Sequence, residues 1–276
     1  MLGKLLKYEV KAAGKVMPAL YLGIGLSYLL GKLTEALHIH QMKIGLAIAC
    51  IGIGIASMVL ALILTVMRYA KGLFGAEGYL TQTLPVRKGT LLASKVITGY
   101  LLILLGVVGF LLGLFGMFDL LQIEGILEML KAGLGNAVLP LLLLFLVFAS
   151  VQLFSSLSAV YFSITLSNTR PFLSNNFLFA VVFYLAGSTV IGLLEIVFML
   201  LLPIGVRVGE SGGLHLVFDS MLLDLLKHPE LIGSNQDPAV LTQMSLGVGS
   251  VIVDLAAGMV LLFVTRWLLT RKISVK

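Results

Sequence analysis

Long apolar runs constrain this chain more than any other feature of its sequence. The run over residues 44–67 contains no charged residue, and about 20 such residues in a helix cross the hydrocarbon core of a bilayer. A helix this uniformly apolar has no polar face to present to water. The run therefore predicts a transmembrane helix.

Similar runs recur along the chain and predict an all-α membrane protein with six transmembrane helices in a single domain over residues 1–276. Only 12% of the residues are charged, whereas soluble domains carry about a quarter. We expect the first run to be a retained helix, because no small-x-small cleavage site follows it. The predicted spans cover residues 16–37, 44–67, 96–118, 136–166, 177–205 and 244–265.

The distribution of basic residues predicts the orientation, because lysine and arginine are enriched at the cytoplasmic ends of membrane helices. Of 19 basic residues, 14 fall on one side of the predicted spans and 5 on the other. Both termini are therefore predicted to be cytoplasmic, and residues 206–243 to be external. The net charge of +6 reflects this asymmetry, so it does not indicate a nucleic-acid partner.

Amphipathic patterns flank the spans. In residues 1–15, lysines recur every three or four positions, which predicts a cytoplasmic helix lying in the membrane interface. A basic leader that only sets topology is the alternative. Residues 216–228 and 123–131 show shorter amphipathic patterns, and we expect short external helices there.

The segment over residues 68–95 is a polar island between two spans. About 28 residues are more than a simple connection needs. It contains a glutamate bracketed by glycines, threonine hydroxyls, and apolar side chains that end at Pro85, which breaks a continuing helix. We interpret it as a cytoplasmic loop built to contact a soluble partner.

The sequence of this segment, RYAKGLFGAEGYLTQTLPVRKGTLLASK, resembles the signature region of bacterial ABC-2 type permeases, the membrane subunits of ATP-driven exporters. In that family a glutamate followed by Gly-Tyr-Leu-Thr, then Thr-Leu-Pro and a later Ser-Lys, marks the loop whose coupling helix sits on the ATPase subunit. The resemblance implies a coupling module made of Glu77, Gly78, Tyr79, Leu80, Thr81, Thr83, Leu84, Pro85, Ser94 and Lys95.

The resemblance also implies the type-G exporter layout, in the bacterial cytoplasmic membrane with lipid around it. A second short cytoplasmic loop carries Arg170 and Pro171, which would either make a second contact with the ATPase or form a plain turn. The expected partners are an ABC ATPase subunit and a second permease chain, identical or homologous. The expected substrate class is an amphipathic peptide, lipid-like compound or drug.

The chain is not expected to be an enzyme. It has no G-x-x-x-x-G-K-[ST] sequence to cradle a nucleotide phosphate, so we expect ATP and Mg²⁺ on the partner ATPase and no cofactor on this chain. The histidines fall in external loops or at span ends, which predicts neither catalytic residues nor a metal site within the membrane; they are His38, His40, His215 and His228.

Two acids are predicted to lie at membrane depth. Asp254 is predicted near the bilayer centre, where an aspartate is costly and is usually paired or facing water, and Glu195 near the outer interface. Either could line a substrate path or a helix interface, or form a structural hydrogen bond. They also support an alternative function, a proton- or ion-coupled secondary transporter.

The glycine pairs Gly52-x-Gly54 and Gly109-x-x-x-Gly113 predict close helix packing.

Overall fold

The computed structural model describes residues 2–13, 16–75, 88–122, 138–208, 214–218, 220, 222 and 246–271. These residues are predominantly helical, as predicted. Five of the described helices are long and apolar enough to cross a membrane. The chain is therefore a mainly α-helical, multi-pass membrane protein.

Seven α-helices and a short 3₁₀ helix, Arg170–Asn175, make up most of the described chain. The five candidate spans are α3 to α7, and they do not include α2, whose last turns carry Lys32 and Glu35. The sixth crossing therefore stays a prediction. The helices are α1 (Leu2–Ala13), α2 (Met17–Ala36), α3 (His40–Phe74), α4 (Lys88–Leu121), α5 (Val138–Ser167), α6 (Asn176–Leu201) and α7 (Gly249–Arg271).

The predicted cytoplasmic loop over residues 68–95 is shorter than expected. Helix α3 continues to Phe74 and α4 already begins at Lys88, so the connection between them is residues 75–87. Lysine and arginine are good helix formers, and these turns remain helical beyond the apolar runs. The predicted coupling helix falls within residues 76–87, which lie outside the described residues.

A small antiparallel sheet is an addition to the predicted all-α fold. Its strands are β1 (Gly205–Val208), β2 (Leu214–Val217) and β3 (Leu246–Gly247), in the order β2-β1-β3. The span predicted over residues 177–205 is therefore too long, because α6 ends at Leu201 and the chain then enters β1.

The sheet includes the first two residues of the external helix that was predicted over residues 216–228. This prediction is wrong at Leu216 and Val217, which belong to β2 and pair with β1. Leu222 does have helical backbone. The other residues of this pattern, apart from Phe218 and Ser220, lie outside the described residues, as does the pattern over residues 123–131.

The described chain divides into two compact units, and helices α1 to α4 belong to the first. In this unit α3 and α4 approach closely through small residues. A Cβ added to Gly113 would lie 2.5 Å from the Cys50 carbonyl oxygen, and one added to Gly109 would collide with the Ser57 hydroxyl. An added Cβ on Gly54 would be 3.3 Å from the Gly109 carbonyl oxygen. The predicted close packing is confirmed at these three glycines. It is wrong at Gly52, where an added Cβ would have no atom of the described residues within 4 Å.

The second unit contains α5, α6, the sheet and the first part of α7. Gly249, at the start of α7, packs on the last turn of α6, where an added Cβ would collide with the Phe198 carbonyl group. Further along α7, a Cβ added to Gly258 would lie 2.7 Å from the Phe154 ring of α5. Glycines thus allow α7 to approach both helices of this unit.

Candidate functional site

Two residues of the predicted coupling module, Ser94 and Lys95, lie in the second turn of α4. Both are buried. The Ser94 hydroxyl donates a hydrogen bond to the Leu91 carbonyl oxygen at 2.8 Å, which satisfies it within its own helix. Lys95 is the residue of this pair that reaches other elements.

The Lys95 ammonium forms an ion pair with Glu9 of α1, with 2.5 Å between Nζ and Oε1. Its side chain is only 7% exposed. Gly72 of α3 leaves room for it, because a Cβ added there would lie 2.7 Å from Lys95 Nζ. A buried cation requires a close opposite charge to remain stable, and Glu9 supplies that charge.

Arg68 of α3 binds the same residue of α1. Its Nη1 donates to the Glu9 carbonyl oxygen at 2.8 Å and lies 3.7 Å from Glu9 Oε2. Glu9, Arg68 and Lys95, which we call the Glu9 cluster, therefore join α1 to the end of α3 and the start of α4. The expected helix at the amino-terminal end is confirmed, whereas its location in the membrane interface stays a prediction.

A cavity of about 410 Å³ adjoins the Glu9 cluster. Its polar lining comprises the whole cluster and Lys71, and its apolar lining includes Leu64 and Met67 of α3. Three cations and one carboxylate thus surround the space. An arrangement of this kind can attract an anion.

Glu9 was not predicted to be a site residue from the sequence. Residues 1–15 contain four lysines and only one acid, and this single carboxylate was the available signal. Its partners Arg68 and Lys95 lie far away in the sequence, so no local pattern could identify them. A lone acid on a lysine-bearing amphipathic helix suggests a specific basic partner.

The structure describes only some of the other residues that are predicted to contact the ATPase. Eight of the ten module residues, Glu77 to Pro85 without Gln82, lie outside the described residues. Arg170 and Pro171 begin the 3₁₀ helix and are exposed, and the Phe172 amide donates to the Thr169 carbonyl oxygen at 3.0 Å. This region forms a compact turn, and a second contact with an ATPase stays a prediction.

The two acids within the spans meet in the second unit. The Glu195 side chain of α6 lies beside Asp254 of α7 and Gln152 of α5. Asp254 is 3% exposed.

The position of Asp254 along its helix is corrected by the start of α7 at Gly249 rather than at residue 244, whereas its depth in the bilayer stays a prediction. Asp254 then lies about 7.5 Å along the helix at 1.5 Å per residue, in its second turn. Glu195 is six residues from the end of α6. Both acids therefore lie near the helix ends, and Asp254 is not at the middle of its span.

A second group of ion pairs in the first unit joins the last turns of α2 and α4 to the first turn of α3. We call it the Glu35 cluster: Lys32, Glu35, Lys43 and Asp119. Lys32 Nζ is 2.7 Å from Asp119 Oδ2 and 3.4 Å from Glu35 Oε2, and Lys43 Nζ is 3.0 Å from Glu35 Oε1. Two cations and two acids balance each other here.

The chain matches no protein-family model, no curated protein and no solved structure.

Proposed function

We propose that the chain is the transmembrane permease subunit of an ATP-driven exporter of the ABC-2 type. The observation that carries this proposal is the resemblance of residues 68–95 to the coupling region of that family. In the proposal, a separate ATPase subunit binds ATP and Mg²⁺, and a second permease chain, identical or homologous, completes the pathway. The exported substrate is amphipathic: a peptide, a lipid-like compound or a drug.

The anchoring of this segment supports a role in force transmission. Arg68 on one side and Lys95 on the other both bind Glu9, so α1, α3 and α4 are linked where the segment leaves them. The Lys88 ammonium also donates to the Leu269 carbonyl oxygen of α7 at 2.7 Å. A displacement of the segment would therefore act on four helices.

Because α3 and α4 are closely packed, a displacement of the segment would move both helices. Helices α3 and α4 contact each other at backbone distance around Gly54 and Gly113, and tightly packed interiors transmit strain. In the proposed cycle, ATP brings two ATPase subunits together and the coupling module follows their movement. The α3–α4 pair then moves as one body and changes the side of the membrane to which the pathway opens.

The experiment replaces two residues of the proposed module, Glu77→Ala and Leu84→Asp, in one tagged chain. A charged hydrogen bond desolvated at an interface costs about 2–5 kcal/mol to truncate, so we expect the ATPase subunit to be lost from the purified complex. Gln82→Ala is the matched control, because Gln82 lies in the same segment but outside the module. The control is expected to retain the ATPase.

Two outcomes would contradict the proposal. One is that the doubly substituted chain purifies with its ATPase and supports ATP hydrolysis at the unmodified rate. The other is that no ATPase purifies with the unmodified chain extracted from its native membrane. Membrane insertion of both variants is checked first, so that loss of the ATPase is not confused with loss of the chain.

The alternative function is a proton- or ion-coupled secondary transporter, and the contact of Glu195 with Asp254 favours it. Paired acids within membrane helices are found in proton relays. This alternative predicts that Asp254→Asn abolishes gradient-driven uptake in vesicles that contain no ATP. The exporter proposal predicts that such vesicles show no gradient-driven uptake even with the unmodified chain.

A further inference from the structure

The cavity beside the Glu9 cluster has more positive charge than the cluster neutralises. Arg68, Lys71 and Lys95 line it together with a single carboxylate, that of Glu9. Lys95 takes one oxygen of this carboxylate at 2.5 Å, and Arg68 lies 3.7 Å from the other. Among the residues that line the cavity, basic side chains therefore outnumber carboxylates by two.

The donors left over belong to Arg68 and Lys71. A guanidinium carries five N–H donors, and the hydrogen bond from Arg68 Nη1 to the Glu9 carbonyl oxygen uses one of them. Lys71 is exposed, and within the described part of the chain it forms no ion pair. Both residues lie in the last two turns of α3, on the same side of the cavity.

The wall of the cavity changes from charged to apolar along α3. Leu64, Met67 and Lys71 lie on one face of the helix, because residues three and four apart are neighbours on a helix surface. All three line the cavity, and Met67 is 42% exposed. A ligand in this position meets ammonium and guanidinium groups at one end and hydrocarbon side chains at the other.

We propose that this cavity binds the phosphate headgroup of an anionic phospholipid, with the acyl chains along the apolar face of α3. Basic pockets between helices at the cytoplasmic side of a membrane bind anionic lipid headgroups. A free phosphate would satisfy the same cations, but it would make no use of Leu64 and Met67. The proposal rests on the described contacts and does not require that the chain works with an ATPase.

The test is native mass spectrometry of the full-length chain, released from detergent after titration with phosphatidylglycerol or with phosphatidylcholine. We expect one preferentially retained phosphatidylglycerol. Each basic residue near an anionic surface contributes about five-fold in affinity, so Lys71→Gln should weaken retention about five-fold and Lys71→Gln with Arg68→Gln further. Phosphatidylcholine retention should not change.

Three controls make the test decisive. Lys71 is exposed, so Lys71→Gln should keep the unmodified thermal unfolding profile even if Arg68→Gln disturbs folding. Lys7→Gln removes an exposed cation of α1 outside the cavity lining, and Lys32→Gln removes one from the Glu35 cluster. Inorganic phosphate and glycerol 3-phosphate are added as competitors at the concentration of the lipid.

The proposal is supported if Lys71→Gln selectively weakens retention of phosphatidylglycerol while Lys7→Gln and Lys32→Gln do not. Equal weakening by Lys7→Gln would mean a diffuse attraction to the basic surface and would overturn the proposal. Displacement of the lipid by an equal concentration of free phosphate would assign the site to a soluble anion instead. Unchanged retention in Lys71→Gln would also overturn it.

Discussion

The Glu9 cluster and the Glu35 cluster both connect the ends of α3 and α4, but they differ in charge balance. At the Glu35 cluster, two lysines face two carboxylates, and the side chains of Lys32 and Asp119 are 41% and 51% exposed. At the Glu9 cluster, one carboxylate faces two cations, and Lys95 is 7% exposed. Each cluster has one buried lysine, Lys43 with 9% and Lys95 with 7% of its side chain exposed. The clusters therefore differ in charge balance, and only the Glu9 cluster has excess positive charge.

This difference suggests different roles for two clusters that occupy opposite ends of the same helix pair. Exposed ion pairs contribute little stability, and at the Glu35 cluster every charge already has an opposite partner. The buried pair of Lys95 with Glu9 is sensitive to the loss of either member, and its neighbours Arg68 and Lys71 retain free donor capacity. We therefore expect the Glu35 cluster to hold helix ends together and the Glu9 cluster to respond to partners.

The largest effect is expected from Glu9→Ala, which removes the carboxylate paired with the buried Lys95 ammonium. Removal of one member of a buried pair costs about 3–5 kcal/mol, and we expect about 3 kcal/mol here because Glu9 itself is partly exposed. Denaturant unfolding in detergent micelles measures the change. Adding Lys95→Met should recover most of the loss, because the buried ammonium is then removed together with its carboxylate.

The comparison fails if Glu9→Ala lowers the free energy of unfolding by less than Lys32→Gln does, because Lys32 is an exposed member of its ion pairs. It also fails if Lys95→Met recovers nothing, since the cost would then arise from the packing of α1 and not from the buried ammonium.

A smaller effect is expected between the clusters, where α3 and α4 are closely packed. Gly113→Ala places a Cβ 2.5 Å from the Cys50 carbonyl oxygen, and overpacking of this kind costs about 1–3 kcal/mol. Gly52→Ala is the matched control, since no atom of the described chain lies within 4 Å of its added Cβ. The same unfolding measurement should show destabilisation for Gly113→Ala and none for Gly52→Ala; equal values would refute close packing as the cause.

The smallest stability effect is expected at the Glu35 cluster. Lys32→Gln removes two exposed contacts, to Asp119 and to Glu35, and exposed pairs contribute less than about 1 kcal/mol. The effect should decline as salt rises from 0.05 to about 0.5 M, because exposed charges are screened. A salt-independent loss of several kcal/mol would show that this cluster, too, is energetically buried.

The sequence predicted the helices well because long apolar runs leave few alternatives to a membrane helix. It placed their ends poorly where polar residues continue the helix: α3 runs through Arg68 and Lys71 to Phe74, and α4 begins at Lys88. By contrast, α6 stops at Leu201, although apolar residues continue beyond it in the sequence. Hydrophobicity reports burial in lipid, and it does not report where backbone hydrogen bonding ends.

The candidate sites were predicted less completely, because they join residues that are distant in the sequence. Lys95 was identified from the resemblance, but its partner Glu9 was not. Glu195 and Asp254 were each identified as acids within spans, but their contact depends on where α6 and α7 begin and end. Pairings of this kind follow from packing, for which a single sequence contains no local signal.

The most direct test of the exporter proposal is photo-crosslinking in intact cells, with a photoreactive amino acid at Leu84 or at Gln122. Leu84 belongs to the proposed coupling module, and Gln122 donates to Glu35 Oε1 at the opposite end of α4. We predict that the Leu84 position captures a polypeptide with a G-x-x-x-x-G-K-[ST] phosphate-binding sequence, identified by mass spectrometry, and that Gln122 does not. Capture of this ATPase from Gln122, or of no ATPase from Leu84, would contradict the account.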